Sequence, residues 1–459
     1  MKPAAFSSDT ESVCPVCLKR VPARCEGKEG AVFLVKSCPE HGPFKTLIWQ
    51  GPPDFQDWRR PKIPFRPSTP AQPVEHGCPF DCGLCPDHRQ RTCTVLIEVT
   101  GRCNLGCPVC YAGAGAGADA DPSAEAVVEW LHGARKAAGD CNLQFSGGEP
   151  TVRDDLEQLV RAACKLGFSF VQVNTNGLRL AKETGYADRL SKAGVSSVFL
   201  QFDGTTDEIY RRIRGQALLA AKVRAVKACT EAGIGVVLVP TLVPGINTDN
   251  VGRILDFGID HAPGVRGVHF QPVSYFGRHP EPPVDGYRLT LPELMRTIES
   301  QTGGRFQTAH FAPPSCEHAR CSFHGNYVVM PDGGMIPLSR DAGHACCGAP
   351  EPAEQGAQRS ISFVARQWQA PRMDKNPGAC GAGCGCRSFR TGGVSFDDFL
   401  SAARHRTFSV SAMAFQDAWT LNLDRLRDCC IHVYSPERGL VPFCAFNLTA
   451  ADGRGLYRS

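Results

Sequence analysis

This 459-residue chain has no apolar run long enough to span a bilayer, which excludes a helical membrane-spanning protein. Its first 13 residues are polar and contain no apolar signal core, so nothing in them predicts export. It also lacks a decisive charge. Fifty Lys and Arg stand against 46 Asp and Glu, and a net +4 gives no reason to expect nucleic acid as a partner. Low-complexity sequence is absent apart from a short Ala/Gly stretch at 112–118. Cysteine, in contrast, is abundant, at 24 residues. In a small secreted protein that number would mean disulfides. In a long chain without a signal core it predicts metal or cluster ligation in a reducing compartment, so a cytoplasmic protein is expected. The length allows two or three domains with a sizeable core.

The run Gly101-Arg-Cys-Asn-Leu-Gly-Cys-Pro-Val-Cys-Tyr111 places Cys103, Cys107 and Cys110 in a C-x3-C-x2-C array. Three thiolates at this spacing hold three irons of a [4Fe–4S] cluster and leave the fourth open to a substrate. Further on comes Gly147-Gly148-Glu149-Pro150, directly after an apolar run. A zinc site or an electron-transfer cluster is the plainer alternative for the cysteines alone. Together the two motifs resemble the radical S-adenosylmethionine (SAM) superfamily. The resemblance implies that SAM chelates the open iron, that Gly147 to Pro150 hold its amino group, and that one electron splits a carbon–sulfur bond to give a 5′-deoxyadenosyl radical.

The first 50 residues carry two knuckles, Cys14-Pro-Val-Cys17 and Cys38-Pro-Glu-His41, around a short strand at 31–35. So few residues cannot bury a stable core, which predicts a metal-nucleated unit. Its ligands are expected to be Cys14, Cys17, Cys38 and His41, with Cys25 as a substitute for His41, around one iron or zinc ion. Residues 52–73 are proline-rich and read as a linker. A second array, Cys78-x3-Cys82-x2-Cys85, predicts an auxiliary cluster, with Cys93 as its candidate fourth ligand and His88 as either an alternative fourth ligand or a surface residue.

Between 94 and 271 apolar strands alternate with amphipathic helices. The strands are expected at 94–99, 142–145, 170–174, 197–202, 235–240 and 265–270. The helices are expected at 124–138, 154–166, 186–193, 217–232 and 248–259, with Gly167, Gly194 and Gly233 as C-terminal caps. Strict β/α alternation predicts a parallel sheet, closed or partly closed into a barrel, with its chemistry on loops at the strand C-termini. Both motifs fall on such loops. So do Asn174 and Asn176, which resemble the family's ribose-contacting segment, and Asp203, Arg212, Arg214 and Gln271. Either arginine could pair with the SAM carboxylate.

In the last third a hairpin is expected at 327–330 and 335–338. Cys316, Cys321, Cys430 and Cys444 are grouped as a second auxiliary cluster, with Cys429 an alternative to Cys430. Cys346, Cys347, Cys380, Cys384 and Cys386 have no assignment, and Cys141, Cys164 and Cys229 read as small core residues. The divisions expected are 1–70, a rubredoxin-like metal domain with linker; 71–93, an auxiliary-cluster segment; 94–300, a partial (β/α)6 barrel; and 301–459, an auxiliary-cluster and substrate region.

Several segments resemble one branch of the superfamily, the tetraether lipid synthases, whose members also carry the description of pterin methyltransferases. They are the two N-terminal knuckles, His76-Gly-Cys-Pro-Phe-Asp-Cys-Gly-Leu-Cys85, Phe270-Gln-Pro-Val273, and Leu423 to His432 with Pro442-Phe-Cys-Ala-Phe-Asn447. The resemblance implies a SAM cluster, two auxiliary [4Fe–4S] clusters and coupling of unactivated carbons at lipid chain ends. A lipid substrate would require an apolar tunnel, for which Phe396, Phe399, Phe408, Met413, Phe415 and Trp419 are candidates unless they are plain core. It would also require contact with the inner membrane face. The alternatives are a radical methyltransferase acting on a pterin or other small heterocycle, and an electron-transfer protein. The radical readings require an electron donor such as flavodoxin or ferredoxin.

Overall fold

The structure is a computed structural model that describes residues 5–67, 73–115, 120–279, 283, 288–338, 350–371, 390–391 and 394–458. Cys346, Cys347, Cys380, Cys384, Cys386 and the Phe396 side chain lie outside what it describes.

The N-terminal knuckles are carried by a four-stranded antiparallel meander, β1 (Phe6–Val13), β2 (Arg20–Lys28), β3 (Ala31–Cys38) and β4 (Gly42–Gln50). Only the start of β3 is expected from sequence. β2 alternates exposed and buried residues, which puts Val21, Ala23 and Cys25 on the packed face. Its outward Arg20, Pro22 and Arg24 conceal that pattern from a search for apolar runs. Residues 52–67 of the stretch read as a linker are packed in place. Phe55 and Trp58 are buried, Trp58 Nε1 donates to Ala319 O at 2.9 Å, and the short strand β5 (Lys62–Ile63) takes a partner described below. The two aromatics join the main core and outweigh the segment's polar composition.

The central unit follows the expected alternation. Its strands are β6 (Thr94–Thr100), β7 (Asn142–Gly147), β8 (Val171–Thr175), β9 (Ser197–Gln201), β10 (Gly235–Val239), the two-residue β11 (Thr241–Leu242) and β12 (Val265–Pro272). The crossovers are α1 (Ala124–Ala138), α2 (Leu156–Lys165), α3 (Leu178–Lys182), α4 (Tyr186–Ala193), α5 (Asp207–Arg214), α6 (Leu219–Glu231) and α7 (Val251–Asp260). The expected cap glycines Gly167, Gly194 and Gly233 all have positive φ. The short α3 and α5 are not anticipated, because five and eight residues show too little of a 3.6 period.

The remaining elements are α8 (Leu291–Gln301), β13 (Ser322–Val329), β14 (Met335–Pro337), β15 (Glu351–Pro352, parallel to β5), α9 (Ala353–Trp368), β16 (Arg390–Thr391), β17 (Val394–Ser395), α10 (Phe396–His405), β18 (Thr407–Met413), α11 (Leu423–Arg427), β19 (Ile431–Ser435), β20 (Gly439–Pro442) and α12 (Phe443–Phe446). The main sheet runs β14-β13-β18-β12-β10-β9-β8-β7-β6-β19-β20, an open path among the described residues. The six expected parallel strands form its middle. β18 extends them in parallel beyond β12, and β19 does so beyond β6. The barrel is thus partial, and the C-terminal third lengthens both of its flanks.

Helix α9 crosses the end of the barrel where the strands begin. Asn142 Nδ2 at the start of β7 donates to Ile361 O at 3.3 Å, and Arg266 Nε on β12 donates to Gln367 O at 2.9 Å. At Gly235, the first residue of β10, a Cβ would collide with Trp368 O. The helix therefore closes the barrel from below, opposite the loops that follow the strands.

Candidate active site

At the upper end, the loop after β6 carries Cys103, Cys107 and Cys110, all facing one cavity of about 770 Å³. Burial pushes the Cys103 thiol up to about 11. A thiol in that setting becomes a ligand when a bound cation displaces its proton. The loop after β7 packs directly on the cysteine loop. Gly148 N donates to Thr100 O at 2.8 Å and Glu149 N to Arg102 O at 2.9 Å. A Cβ at Gly147, whose φ is +118°, would strike Thr100 O, and one at Gly148 would strike Arg102 O. Only glycine lets the two loops approach this closely.

Glu149 is buried and wholly engaged. Its carboxylate accepts from Thr151 N (3.1 Å), Thr151 Oγ1 (2.6 Å), Thr175 Oγ1 (2.7 Å) and Asn176 N (2.6 Å). Asn176 Nδ2 in turn donates to Asn104 Oδ1 at 2.7 Å, beside Cys103. Glu149 thus ties the ends of β7 and β8 to the cysteine loop, and Pro150 starts a 3-10 turn behind it. Asn174 faces the cavity with its Nδ2 on Ser146 Oγ at 3.3 Å and its Oδ1 buried without a partner. Asp203 and Arg214 form a buried two-pronged ion pair, at 2.7 and 2.8 Å. Burial works against the Arg214 charge, but the Asp203 carboxylate overrides it and raises the guanidinium's pKa. Arg214 also donates to Val109 O at 3.4 Å, just before Cys110, and it faces the cavity. Arg212 does neither. It is exposed and donates to Gly245 O at 3.0 Å, because on a helix it points about 200° away from Arg214. Gln271 faces the cavity from β12.

Below this rim the inward positions of the strands are strongly polar. Asn142, Gln144 and Ser146 line the cavity from β7, and His269 and Gln271 from β12. Gln144 Nε2 donates to Gln172 Oε1 at 2.5 Å, and Gln172 Nε2 to Ser197 Oγ at 3.2 Å. Burial holds His269 down to about 4, so the ring is neutral, and its Nδ1 lies 2.9 Å from Ser411 Oγ. Phe199, His269 and the α9 residue Trp368 form an aromatic group with centroids 5.0 to 6.2 Å apart. Of these deeper residues only Gln271 is singled out by sequence. The alternation Asn-Leu-Gln-Phe-Ser at 142–146, polar at every second residue of a buried strand, is the signal that points to them.

The four residues expected to bind the N-terminal ion lie together. Cys14 Sγ and Cys38 Sγ are 3.7 and 3.5 Å from His41 Nδ1, and Cys17 Sγ is 3.9 Å from Cys38 Sγ. A tetrahedral ion with bonds of about 2.0–2.3 Å separates its donors by roughly 3.5–3.8 Å, so the group fits one zinc or iron ion. The alternative ligand Cys25 is elsewhere, 3.7 Å from Asn422 Nδ2, because it faces the packed side of β2.

The C-terminal cysteines are grouped differently from the sequence expectation. Cys93 comes to Cys316 and Cys430, with all three sulfurs within 4.8 Å, and not to the array at 78–85. Cys93 and Cys316 are joined as a disulfide, and all three residues line the same cavity as Cys103. Cys321 and Cys444 belong to the neighbourhood of Cys429: the charge of Cys321 raises the Cys429 thiol, and Cys429 in turn raises that of Cys444. Adjacent residues on extended backbone point to opposite sides, so Cys429 and Cys430 serve different neighbourhoods. Cys78, Cys82 and Cys85 are buried, and Tyr457 from the chain's end grips their loop, with its hydroxyl donating to Pro79 O at 2.6 Å. His88 is also buried, with Nε2 on Cys429 O at 2.9 Å, so it is not a surface residue. Cys141 and Cys229 are buried as expected, but Cys164 is exposed at the end of α2.

The tunnel candidates do not converge. Phe408 and Trp419 are buried in two separate core clusters and Phe399 packs in a third, and only Met413 and Phe415 line the cavity. Among the described residues no helix is long and apolar enough to cross a membrane.

Comparison with known proteins adds three findings. The family profile described as Radical SAM superfamily matches residues 97–258, and that described as HMPTM N-terminal zinc ribbon domain matches 6–50. The chain is 33% identical to 7,8-dihydro-6-hydroxymethylpterin dimethyltransferase of Methanocaldococcus jannaschii, over 95% of this chain and 93% of that one. It is 28% identical to PqqA peptide cyclase of Streptomyces rochei, over 70% of this chain and 92% of that one. Among solved structures, native anSMEcpe with bound AdoMet aligns over 46% of this chain and 59% of that one, with 19% identity and a TM-score of 0.37.

Proposed function

Because this chain belongs to the radical SAM superfamily, in the branch that begins with a zinc ribbon, we propose that it is a radical methyltransferase acting on a pterin or a similar small, polar heterocycle. It is a radical SAM enzyme, and that membership implies SAM and a [4Fe–4S] cluster. The residues present suit both. Three cysteines share one cavity rim, Gly147 and Gly148 let the second loop pack directly on the cysteine loop, and Asn174 Oδ1 is a buried acceptor awaiting a donor. Cys103, Cys107 and Cys110 would hold the cluster, and Gly147, Gly148 and Asn174 would hold SAM. When bound, the pair supplies hydrogen-abstracting radical chemistry.

The chain's own work is placement and exclusion of water. Glu149 fixes the relative position of the two loops. The Arg214–Asp203 pair puts a buried positive charge behind the cysteine loop. Helix α9 closes the opposite end. One observation carries the choice of substrate, the polar side chains that the inward positions of β7, β8 and β12 bring into an otherwise largely apolar cavity. An alkyl chain there would bury amides and an imidazole against carbon, leaving their hydrogen bonds unmet. A heterocycle with ring nitrogens and an oxo group would meet them. The name of the Methanocaldococcus jannaschii relative supports the same class.

The reading includes two auxiliary clusters, one on Cys93, Cys316 and Cys430, which the reductant frees by opening the Cys93–Cys316 disulfide to two thiolates, and one on Cys78, Cys82 and Cys85. It also includes one zinc or iron ion on Cys14, Cys17, Cys38 and His41, and a flavodoxin or ferredoxin as electron donor. The test is anaerobic reconstitution with iron, sulfide, SAM and a reductant. 5′-Deoxyadenosine is expected, and its loss in Cys103→Ala. With 7,8-dihydro-6-hydroxymethylpterin added, mass spectrometry should find methylated pterin. Coupled lipid chains in an expressing host, with no methylated pterin, would overturn the reading in favour of lipid coupling.

A further inference from the structure

The floor of the cavity, deeper than the SAM-binding rim, has chemistry that the rim does not use. His269 lies two residues before Gln271 on β12, one inward-facing position and about 7 Å further down the strand. Phe199 holds the same place relative to Gln201 on β9. The Phe199 and His269 rings stack at 5.4 Å and 20°, and Trp368 rises from α9 to 5.0 Å from Phe199. Trp368 is fixed by Nε1 donating to Ser409 Oγ at 3.2 Å. The result is an aromatic wall in a cavity that also presents the amides of Asn142, Gln144 and Asn174.

Two polar atoms on this floor stand ready for a ligand. Asn142 is 2% exposed and its Nδ2 is committed to Ile361 O, which fixes the amide's orientation. Its Oδ1 is buried and has no partner. Such an acceptor is rare in a native interior unless something else supplies the donor. His269 uses Nδ1 on Ser411 Oγ, leaving Nε2 as the ring's other polar atom in a residue that lines the cavity. A neutral imidazole donates or accepts there according to its tautomer.

We propose that Phe199, His269 and Trp368 form the seat of a planar heterocycle with an amino-oxo edge, the pterin class, and that Asn142 Oδ1 and His269 Nε2 read that edge. The proposal rests on the methyltransferase reading and gives it a location. The aromatic wall takes the ring's face. Asn142 Oδ1 accepts from the exocyclic amine or the adjacent ring N–H, and His269 Nε2 pairs with the oxo group or a ring nitrogen. A chain of methylenes would meet neither atom.

Binding of 7,8-dihydro-6-hydroxymethylpterin to the full-length, anaerobically reconstituted protein, followed by calorimetry without reductant, tests this. The wild type should bind. Phe199→Leu and His269→Leu should each weaken binding roughly ten-fold, with unchanged melting and unchanged SAM affinity. His269→Gln should recover part of the loss, and the surface variant Arg161→Ala should match the wild type. If His269→Leu does not fold, Phe199→Leu and Asn142→Ala carry the test. Wild-type binding with variants within about two-fold of it would place the seat elsewhere and leave the methyltransferase reading standing. Absence of wild-type binding in a protein that still forms 5′-deoxyadenosine would remove both.

Discussion

One carboxylate, Glu149, serves four donors and joins three loops, which makes it a positioning residue whose loss acts through its neighbours. Glu149→Gln keeps the shape but turns one acceptor into a donor facing Asn176 N or the two hydroxyls. It should cost about 2–3 kcal/mol in urea unfolding and raise the KM for SAM more than it lowers kcat. Asp203→Asn exposes a different dependence. It leaves Arg214 buried without its counter-ion, so a loss of about 3–5 kcal/mol is expected, whereas replacing both partners by apolar residues should cost less. The buried imidazole of His269 links stability to acid. Its folded pKa lies near 4 against an ordinary 6.5, so the unfolded chain takes up the proton first as pH falls. The stabilisation is complete above 6.5 and drains away between 6.5 and 4, by about 1.4 kcal/mol per pH unit. Urea titrations at pH 7.5, 6 and 5 should show a shallower decline in His269→Gln than in the wild type.

At the scale of elements, α9 does for the barrel floor what the glycine cradle does for the rim. It is held by backbone approach at Gly235 and by exchanged hydrogen bonds between Arg266 and Gln367. Gly235→Ala would drive a methyl group into Trp368 O. It should destabilise by about 1–3 kcal/mol and weaken substrate binding without altering SAM binding. The cysteine groups yield a second expectation at this scale. Cys93 comes from the loop before β6, Cys316 from that before β13, and Cys430 from that before β19. If the three share one cluster, the alanine variants should each remove the same iron, about four atoms, and the double variants should remove no more. Cys78→Ala should remove a different set. Iron and sulfide counts on anaerobically purified protein decide it.

Across the whole molecule, the zinc-ribbon sheet is docked on the C-terminal third. Ser12 Oγ donates to Leu421 O at 2.5 Å, the buried Lys36 Nζ to Ala418 O at 2.6 Å, and Ala451 N to Pro15 O at 2.8 Å. Cys17→Ser should therefore lose one metal ion and lower the Tm of the entire protein, not of a detached domain, in a single calorimetric transition. Local spacing alone determined the cysteine array, the glycine loop, the six parallel strands and the two N-terminal knuckles. Each depends on residues within a few turns or one strand-to-loop step of one another, where covalent geometry dictates what can meet. Only the tertiary structure decided that Cys93 joins Cys316 and Cys430, that Cys429 and Cys430 part ways, that Arg212 faces solvent while Arg214 faces the cavity, and that α9 forms a floor. Those outcomes require contacts between segments hundreds of residues apart, and they are selected by how buried faces pack together, a quantity no local periodicity records.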